Sequence, residues 1–497
     1  MTAICLDVGT TMIKAVGYDD AGAAQVTVRE PTTVRSPRPG WSEQDMGEVW
    51  AAVVRGVRGV VDRIGGDVAY VAVTAQGDGC WLVDADGEPA GPAILWNDAR
   101  AAGIVDGWTR SGVLDRAFAT SRSMTFPGLP NAILAWLGEH DPDRVARARW
   151  ALTCGGWVFS RLTGRAVMDE SDACVPFMDP LTRRYSDDLF ALYGLEWARR
   201  LLPEPLRDAD RAVPLTGRAA AELGVAPGTP AVLSSYDIAS TAIGVGAVNA
   251  GQACTILGTT LCTEVVADDA RSAAHGAGGF TVPLGLPGRF LHAFPTLAGT
   301  GVLDWACQVL GLDGPRELVE RADGVPPGAD GLMFLPYLSP AGERSPFLDS
   351  RARGSFLGLT SEHGPAHLAR AVLEGLSLVI RDCLAASGVA PTELRVAGGG
   401  SASPVWLRML ADVTGVPVLR SVDDEAGARG AFLVGRLATG AASDSAHDAA
   451  AYVAVRDVVA PDPARAATYT RLYDAFLDLR GTVSATWGRL AELRGEP

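Results

Sequence analysis

A short segment near the N-terminus combines residue types that bind phosphate groups. Asp7–Lys14 (DVGTTMIK) follows a strand-like run and contains the only lysine of the sequence, whose other basic residues are all arginines. A carboxylate at a strand end, followed by glycine and two threonines, predicts a tight turn whose N–H and O–H donors cradle phosphate oxygens while Asp7 holds a hydrated Mg²⁺. The Lys14 ammonium is spaced to reach the same phosphates. An ordinary β-turn is the alternative, and no Gly-x-x-x-x-Gly-Lys-Ser/Thr P-loop is present.

A second candidate site lies in Gln76–Asp84 (QGDGCWLVD). The Asp78 carboxylate is able to accept hydrogen bonds from two adjacent hydroxyls of an open-chain sugar, and Gly77 beside it would enlarge the pocket. A turn aspartate before Gly79 is the alternative for Asp78. Trp81 is interpreted as a core residue rather than a platform for sugar stacking.

Composition indicates a globular protein of two or more domains, with 497 residues, 48% hydrophobic and 20% charged. The formal net charge of -15 argues against a nucleic-acid or anionic-membrane partner, because both need clustered Lys and Arg. Neither an apolar run of membrane-spanning length nor a basic leader pattern is present, so a cytoplasmic enzyme is expected. The cysteines and histidines are scattered without metal-ligand spacing, so a structural zinc site is not expected.

The elements that must position these residues alternate between strands and helices, which predicts an α/β fold. The strand-like runs are Ala3–Leu6, Val71–Thr74, Pro230–Ser234 and Cys254–Leu257, and the clearest helical patterns are Met46–Ile64 and His367–Ala385. A turn-rich segment places a boundary near residue 248, with domains at 1–248 and 249–440 and a helical extension at 441–497 packed on the second domain. The extension is interpreted as a packing element or as the contact of a homodimer. LDVGTT and ILGTT each put a glycine-threonine turn after a strand, which indicates two related domains facing one nucleotide.

Several longer blocks resemble the FGGY family of carbohydrate kinases, which are relatives of the actin and Hsp70 ATPases. These blocks are Pro39–Trp50, Ile94–Arg100, Pro336–Leu359 and Ala397–Val418. The family's C-terminal signature is matched at Gly354, Phe356, Gly358, Leu359, His367, Leu368, Ala371, Val372, Leu373 and Glu374. The N-terminal signature departs from the pattern, because Ile133 stands three residues before Trp136 where the family usually has a lysine.

The resemblance implies two ribonuclease-H-like domains with ATP in the cleft between them, and Mg²⁺-dependent transfer of the γ-phosphoryl group to a sugar hydroxyl. Asp237, in SSYDIAST, matches the family's catalytic aspartate, which would orient the attacking hydroxyl and accept its proton. Thr10, Thr11 and Lys14 match the phosphate-binding turn, and Asp7 would act on Mg²⁺ through water. The other implied nucleotide contacts are Gly258 and Thr259 at the phosphates, Gly299 and Gly301 along the cleft, and Gly399 and Ser403 beside the adenine.

Substrate choice is expected to depend on the positions at which kinases of this family differ from one another. The position of Gly77-Asp78 resembles the one at which xylulokinases have Met-His and glycerol kinases have Arg-Glu. The QGDG sequence itself is similar to that of kinases of erythritol and other acyclic polyols. The block ILWNDAR is similar to the pentulose-kinase branch. We therefore expect a ketopentose such as xylulose, with a four- or five-carbon polyol as the alternative. The implied substrate contacts are Gln76, Gly77, Asp78, Asn97, Asp98 and Ile238. A non-catalytic sugar or nucleotide sensor is the remaining alternative, although a damaged phosphate turn or a missing base would then be expected, and the sequence has neither.

Overall fold

The computed structural model describes residues 1–65, 67–272 and 278–494, and within them two large sheets come from successive parts of the chain. The first sheet contains β1 (Thr2–Val8), β2 (Met12–Tyr18), β3 (Ala24–Pro31), β4 (Val68–Ala75), β5 (Ala212–Pro214) and β6 (Pro230–Leu233). The second contains β7 (Gln252–Leu257), β8 (Leu261–Ala267), β9 (Phe280–Pro283), β10 (Phe290–Pro295), β11 (Glu393–Ala397), β12 (Val418–Ser421) and β13 (Val455–Val459).

Helices cover both sheets and fill the long connections. They are α1 (Met46–Ile64), α2 (Ala102–Arg110), α3 (Val113–Ser121), α4 (Pro130–His140), α5 (Pro142–Arg147), α6 (Cys154–Thr163), α7 (Glu170–Cys174), α8 (Asp187–Tyr193), α9 (Gly217–Leu223), α10 (Asp237–Gly244), α11 (Gly301–Leu310), α12 (Pro315–Asp323), α13 (Pro365–Ala386), α14 (Pro404–Thr414), α15 (Ala426–Ala438), α16 (Ser445–Tyr452) and α17 (Pro463–Arg494). Short 3₁₀ turns occur at Glu196–Leu201, Asp208–Arg211, Ala329–Gly331 and Gly399–Ala402. Two-stranded ladders join Glu43–Gln44 to Ala93–Ile94, Trp81–Val83 to Trp150–Leu152, Met168–Asp169 to Pro205–Leu206, Met178–Asp179 to Arg184–Tyr185, and Met333–Leu335 to Ser355–Leu357.

The two sheets share one topology. The first has the order β5-β6-β4-β1-β2-β3 and the second β9-β10-β8-β7-β11-β12-β13. In each sheet three strands pair antiparallel in succession, β1, β2 and β3 in the first and β7, β8 and β10 in the second. On the other side of the first of these strands, two further strands run parallel to it: β4 and then β6 beyond β1, and β11 and then β12 beyond β7. The glycine-threonine turns of LDVGTT and ILGTT therefore occupy equivalent hairpins, and the sequence-based prediction of two related α/β domains is confirmed.

Helix α1 shows why the sequence predicted its bounds. Asp45 caps the first turn by accepting from the Glu48 N–H at 3.0 Å, and Gly65 closes the last turn in the left-handed region, at φ 60°. Between these caps, apolar residues at helical spacing bury one face against the first sheet. A capped, periodic segment of this kind is the easiest element to recognise.

Helix α15 connects the two halves of the molecule. It packs on α10 of the first half, and a Cβ built on Gly430 would lie 1.8 Å from the Ser240 carbonyl oxygen. A Cβ on Gly244 would lie 1.8 Å from the Ala426 carbonyl oxygen, so both helices need glycine at their contact. Buried residues of α15 belong to the first half's core, although the helix follows the second sheet in sequence. The domain limits at 248 and 440 stay a prediction, and the packing of α15 crosses between them.

The C-terminal extension was predicted as helical, and the structure adds a strand to that description. Helices α16 and α17 are present, but β13 lies between them and pairs antiparallel with β12 at the edge of the second sheet. Tyr469, Phe476 and Trp487 of α17 are buried in the second core. The extension is therefore part of this half's fold. Among the described residues, no helix combines the length and the apolar character that crossing a membrane requires.

Candidate active site

The turn between β1 and β2 holds Thr10 in a hydrogen-bond network. Thr10 Oγ1 donates to Gln76 Oε1 at 2.7 Å and accepts from Trp96 Nε1 at 3.0 Å. Gln76 Nε2 donates to Gln44 Oε1 at 2.8 Å, and Gln44 Nε2 donates to the Thr10 carbonyl at 2.7 Å. A hydroxyl carries one proton, and that of Thr10 is used on Gln76. Of the two threonines predicted to meet phosphate, Thr11 is the one exposed at this turn.

Lys14 lies between two carboxylates from different halves of the chain. Its Nζ is 3.0 Å from Glu425 Oε2 and 3.5 Å from Asp7 Oδ2, opposite which it pairs in the β1–β2 ladder. Burial lowers the pKa of Lys14, but the charges of Asp7 and Glu425 outweigh it, and the pKa is above its ordinary value. The side chain is 32% exposed, so the cationic amine remains accessible to a ligand in the cleft.

Asp237 is the first residue of α10, directly after β6 and the segment Ser234–Tyr236. Its Oδ1 accepts from the Ile238 N–H at 2.8 Å. Burial, and then the charge of Asp7, hold the pKa of Asp237 well above its ordinary value, with a further contribution from Asp78. Asp7, Asp78 and Asp237 stand at or just beyond the carboxyl ends of the adjacent parallel strands β1, β4 and β6, so the fold brings them to one edge of the first sheet. The Ile238 side chain packs against the first core, so its predicted contact with substrate stays a prediction.

The Asp78 pocket differs from expectation at Gly77. A Cβ built on Gly77 would lie 2.0 Å from Tyr236 Cε2, so the space beside this glycine is filled by the tyrosine ring. The glycine does not enlarge the pocket as predicted; it admits Tyr236, whose hydroxyl donates to Asp78 Oδ2 at 3.4 Å. Asp78 has a left-handed backbone, with φ 56°, and is buried. Burial raises the pKa of Asp78 to about 7, while the charge of Arg344 and the Tyr236 hydroxyl oppose the rise.

The segment ILWNDAR contributes differently from what its sequence predicts. Asp98 accepts four hydrogen bonds, one from the Ser42 N–H at 2.6 Å and three from Arg100 at 2.8–2.9 Å. Four is the full accepting capacity of a carboxylate, so the predicted substrate contact of Asp98 is wrong, and its role is to fix Arg100. Asn97 is exposed, and its contact with the substrate stays a prediction. Trp96, which sequence reasoning did not select, reaches Thr10.

The glycine turns of the second half meet at the carboxyl ends of its parallel strands. A Cβ on Gly299 would lie 2.3 Å from the Thr259 carbonyl oxygen, and the Thr300 N–H donates to the Gly258 carbonyl at 2.9 Å. Gly398, with φ 82°, approaches the Leu257 carbonyl so closely that a Cβ would lie at 2.8 Å. The predicted nucleotide residues Gly258, Thr259, Gly299, Gly301 and Gly399 therefore lie on three adjoining turns.

A cavity of about 500 Å³ lies between the turn at Gly398 and Gly399 and Lys14. Gly398, Gly399, Ser401 and Ala402 line one side, and Glu425 closes another. The Ser403 hydroxyl accepts from the Trp406 N–H at 3.3 Å as the cap of α14, and Ser401 lines the cavity wall. The contact of Ser403 with adenine stays a prediction. The volume falls in the range of small-molecule sites.

Sequence reasoning missed three cleft residues. Tyr236 directly precedes Asp237 and had no motif of its own. Arg344 lies in the recognised block Pro336–Leu359 but was not assigned a role. Glu425 reaches Lys14 only through the packing of α15 on the first half, a long-range contact that no local pattern carries.

Two domains of this topology around a glycine-lined cleft define the class of two-domain nucleotide phosphotransferases with ribonuclease-H-like sheets. The N-terminal domain model of the FGGY family of carbohydrate kinases matches residues 2–244, and the C-terminal domain model matches residues 253–439. The chain belongs to the FGGY family of carbohydrate kinases.

Relatives span nearly the whole chain. The erythritol kinase of Brucella abortus is 33% identical, covering 98% of this chain and 97% of its own, and the xylulose kinase of Escherichia coli is 32% identical, covering 83% and 84%. Among solved structures, the xylulose kinase of Lactobacillus acidophilus superposes with a TM-score of 0.92 at 25% identity, covering 98% of this chain and 99% of that one. The chain is therefore a carbohydrate kinase of the xylulose and erythritol type, a family whose activity implies ATP.

Proposed function

We propose that this kinase transfers the γ-phosphoryl group of ATP to a hydroxyl of a four- or five-carbon open-chain carbohydrate. The observation that carries the proposal is the position of Asp237. It stands at the start of α10, just beyond the carboxyl end of β6, while Asp7 and Asp78 stand at or just beyond the carboxyl ends of the neighbouring parallel strands β1 and β4. An acceptor bound by Asp78 would therefore lie at the same edge of the sheet as Asp237. Burial and the charge of Asp7 raise the pKa of Asp237, so its carboxylate is a stronger proton acceptor than that of a solvent-exposed aspartate.

In the proposed reaction, the acceptor oxygen bonds to the γ-phosphorus, the bond from that phosphorus to ADP breaks, and the hydroxyl proton passes to Asp237. Lys14 and the Thr11 turn bind the phosphates on the first half, and the turns at Gly258 and Gly299 bind them on the second. Mg²⁺ keeps several waters and takes few protein ligands, so Asp7 at the end of β1 fits an ion held mainly by phosphates and water. The ion would neutralise charge on the phosphates.

The sequence favoured a ketopentose, and the site gives more weight to the polyol alternative. A carboxylate such as Asp78 needs hydroxyl donors, and a polyol presents a hydroxyl at every carbon, whereas a ketone oxygen only accepts. The relative named erythritol kinase supports this order, since its similarity covers almost both full chains. The xylulose kinases and the block ILWNDAR support the ketopentose as second candidate.

The test is ADP release with Mg·ATP across erythritol, xylitol, arabinitol, glycerol, xylulose and ribulose. Asp237→Asn is expected to lower kcat by about 10²- to 10⁴-fold without changing the thermal midpoint, because only proton transfer is lost. Asp187→Asn is the matched control, since Asp187 also begins a helix but is exposed. Full activity of Asp237→Asn, or no acceptor-dependent ADP release, contradicts the proposal.

A further inference from the structure

Arg344 brings a positive charge from the second half of the chain to the acceptor side of the cleft. Its Nε donates to the Pro295 carbonyl at 3.1 Å, and its guanidinium lies 4.8 Å from the centre of the Phe126 ring of the first half. Phe126 lies two residues before Gly128, whose carbonyl accepts from the Gly79 N–H at 3.0 Å, so Arg344 stands against the segment that positions Asp78. Its charge also opposes the rise in the pKa of Asp78. Among the described residues, no acceptor is bonded to its two terminal nitrogens, and the residue is only partly exposed.

The backbone of Arg344 is fixed to the nucleotide side. The buried Glu343 carboxylate accepts from the Arg344 N–H at 2.8 Å and from the Leu297 and Ala298 N–H groups at 2.7 and 3.3 Å. Leu297 and Ala298 lead directly into Gly299 and Gly301, the turns proposed to bind the nucleotide. The backbone of Arg344 is therefore anchored to the segment that leads into the turns proposed to bind the nucleotide.

We propose that Arg344 is a substrate-binding residue that donates to the acceptor, and that the opposite charges of Arg344 and Asp78 together restrict the site to neutral sugars and polyols. This inference rests on the proposed function and adds a residue and a selection rule to it. Arg344 donates and Asp78 accepts, which matches hydroxyls that do both. An anionic acceptor such as an aldonate would gain from Arg344 but would face Asp78 and Asp237, so the like charges exclude it.

Two substitutions follow from this geometry. Arg344→Gln removes the charged donor and is expected to raise KM for the neutral acceptor by about 10- to 100-fold while KM for ATP changes little. Asp78→Asn removes the opposing charge but keeps the side-chain shape. It is expected to let the kinase accept erythronate or xylonate, which the unmodified protein does not phosphorylate.

The experiment measures KM and kcat for erythritol, xylulose, erythronate and xylonate in the full chain and its variants, with Arg351→Gln as control. Arg351 lies in the same segment but forms an exposed ion pair with Asp349, so this change is expected to be silent. Arg344→Lys retains the charge and is expected to recover part of the acceptor affinity, which a merely structural role would not predict. It also serves as the test if Arg344→Gln fails to fold.

Calorimetric titration of erythritol without ATP separates this inference from the proposed function. Acceptor binding that depends on Arg344 in a protein without turnover supports the inference while refuting the kinase reaction. Turnover with an unchanged acceptor KM in Arg344→Gln supports the reaction and overturns the inference. Equal rises in KM for ATP and acceptor, or no gain of aldonate activity in Asp78→Asn, also overturn it.

Discussion

Replacing Gly77 by alanine tests the arrangement of the acceptor pocket most directly. The added methyl would lie 2.0, 2.2 and 2.7 Å from three ring carbons of Tyr236, distances that require the ring to move. The backbone of Gly77 is outside the left-handed region, so alanine adds no backbone strain. The cost of Gly77→Ala is therefore the displacement of a buried ring.

The magnitude follows from two contributions. Overpacking a filled site costs about 1–3 kcal/mol, and losing the hydrogen bond from Tyr236 to Asp78 adds about 1 kcal/mol. We expect Gly77→Ala to lower the free energy of unfolding by about 2–4 kcal/mol. In a Tyr236→Ala background the ring is absent, and the same change is expected to cost less than about 0.5 kcal/mol.

The assay is urea unfolding of the four proteins of this double-mutant cycle, followed by tryptophan fluorescence, with acceptor KM measured on those that turn over. Gly103→Ala is the matched control, because a Cβ at this position within α2 meets no atom within 4 Å and alanine favours a helix. Equal destabilisation by Gly77→Ala with and without the Tyr236 ring would refute the reasoning, since the ring would then not be the obstacle.

Two further predictions concern charge in the cleft. In steady-state kinetics, Lys14→Arg is expected to keep kcat/KM for ATP within about one order of magnitude of the unmodified protein. Lys14→Met is expected to lower kcat/KM by about 10- to 100-fold, because the phosphates lose a charged donor. Equal losses of kcat/KM in the two variants would contradict this prediction. Acceptor affinity, measured by calorimetry, is expected to increase as the pH rises through about 7, the pKa of Asp78. The reason is that ionised Asp78 accepts hydrogen bonds from hydroxyls more strongly than its protonated form. The charged or titratable groups that face Asp78 are Arg344, Tyr236, Asp172 and Asp237. A flat profile in Asp78→Asn is the expected control result.

Local patterns predicted the elements that local physics determines. The helix Met46–Ile64 has its caps and its apolar face within one segment, so its bounds were read correctly. The buried run around Val71–Thr74 gave a central strand, since a parallel strand is apolar on both faces. The edge strand Val455–Val459 was missed because its partner at Val418–Ser421 is distant in sequence, and its own alternation is short.

Site roles were predicted where a carboxylate or glycine stands in a motif, but not where a partner decides the role. Asp98 has the same chemistry as Asp78 in sequence, yet Arg100 and the Ser42 N–H use all of its accepting capacity. Open space was predicted beside Gly77 because Tyr236, whose ring fills that space, comes from the segment between β6 and α10, more than a hundred residues away. Only the folded chain shows which lone pairs and which spaces remain open.

Two cations bear on the carboxylates of the cleft. Lys14 faces Asp7 at the phosphate turn, and Arg344 interacts with Asp78 at the acceptor pocket, with Asp237 electrostatically coupled to both carboxylates. A compact ammonium suits a position where charge must shift between Asp7, Glu425 and a phosphate, whereas a planar guanidinium suits several directed bonds to hydroxyls. In a chain that otherwise uses only arginine, the single lysine stands at the site where a point charge serves better than a fork. Phosphate binding therefore requires a cation at residue 14, and lysine suits that position better than arginine.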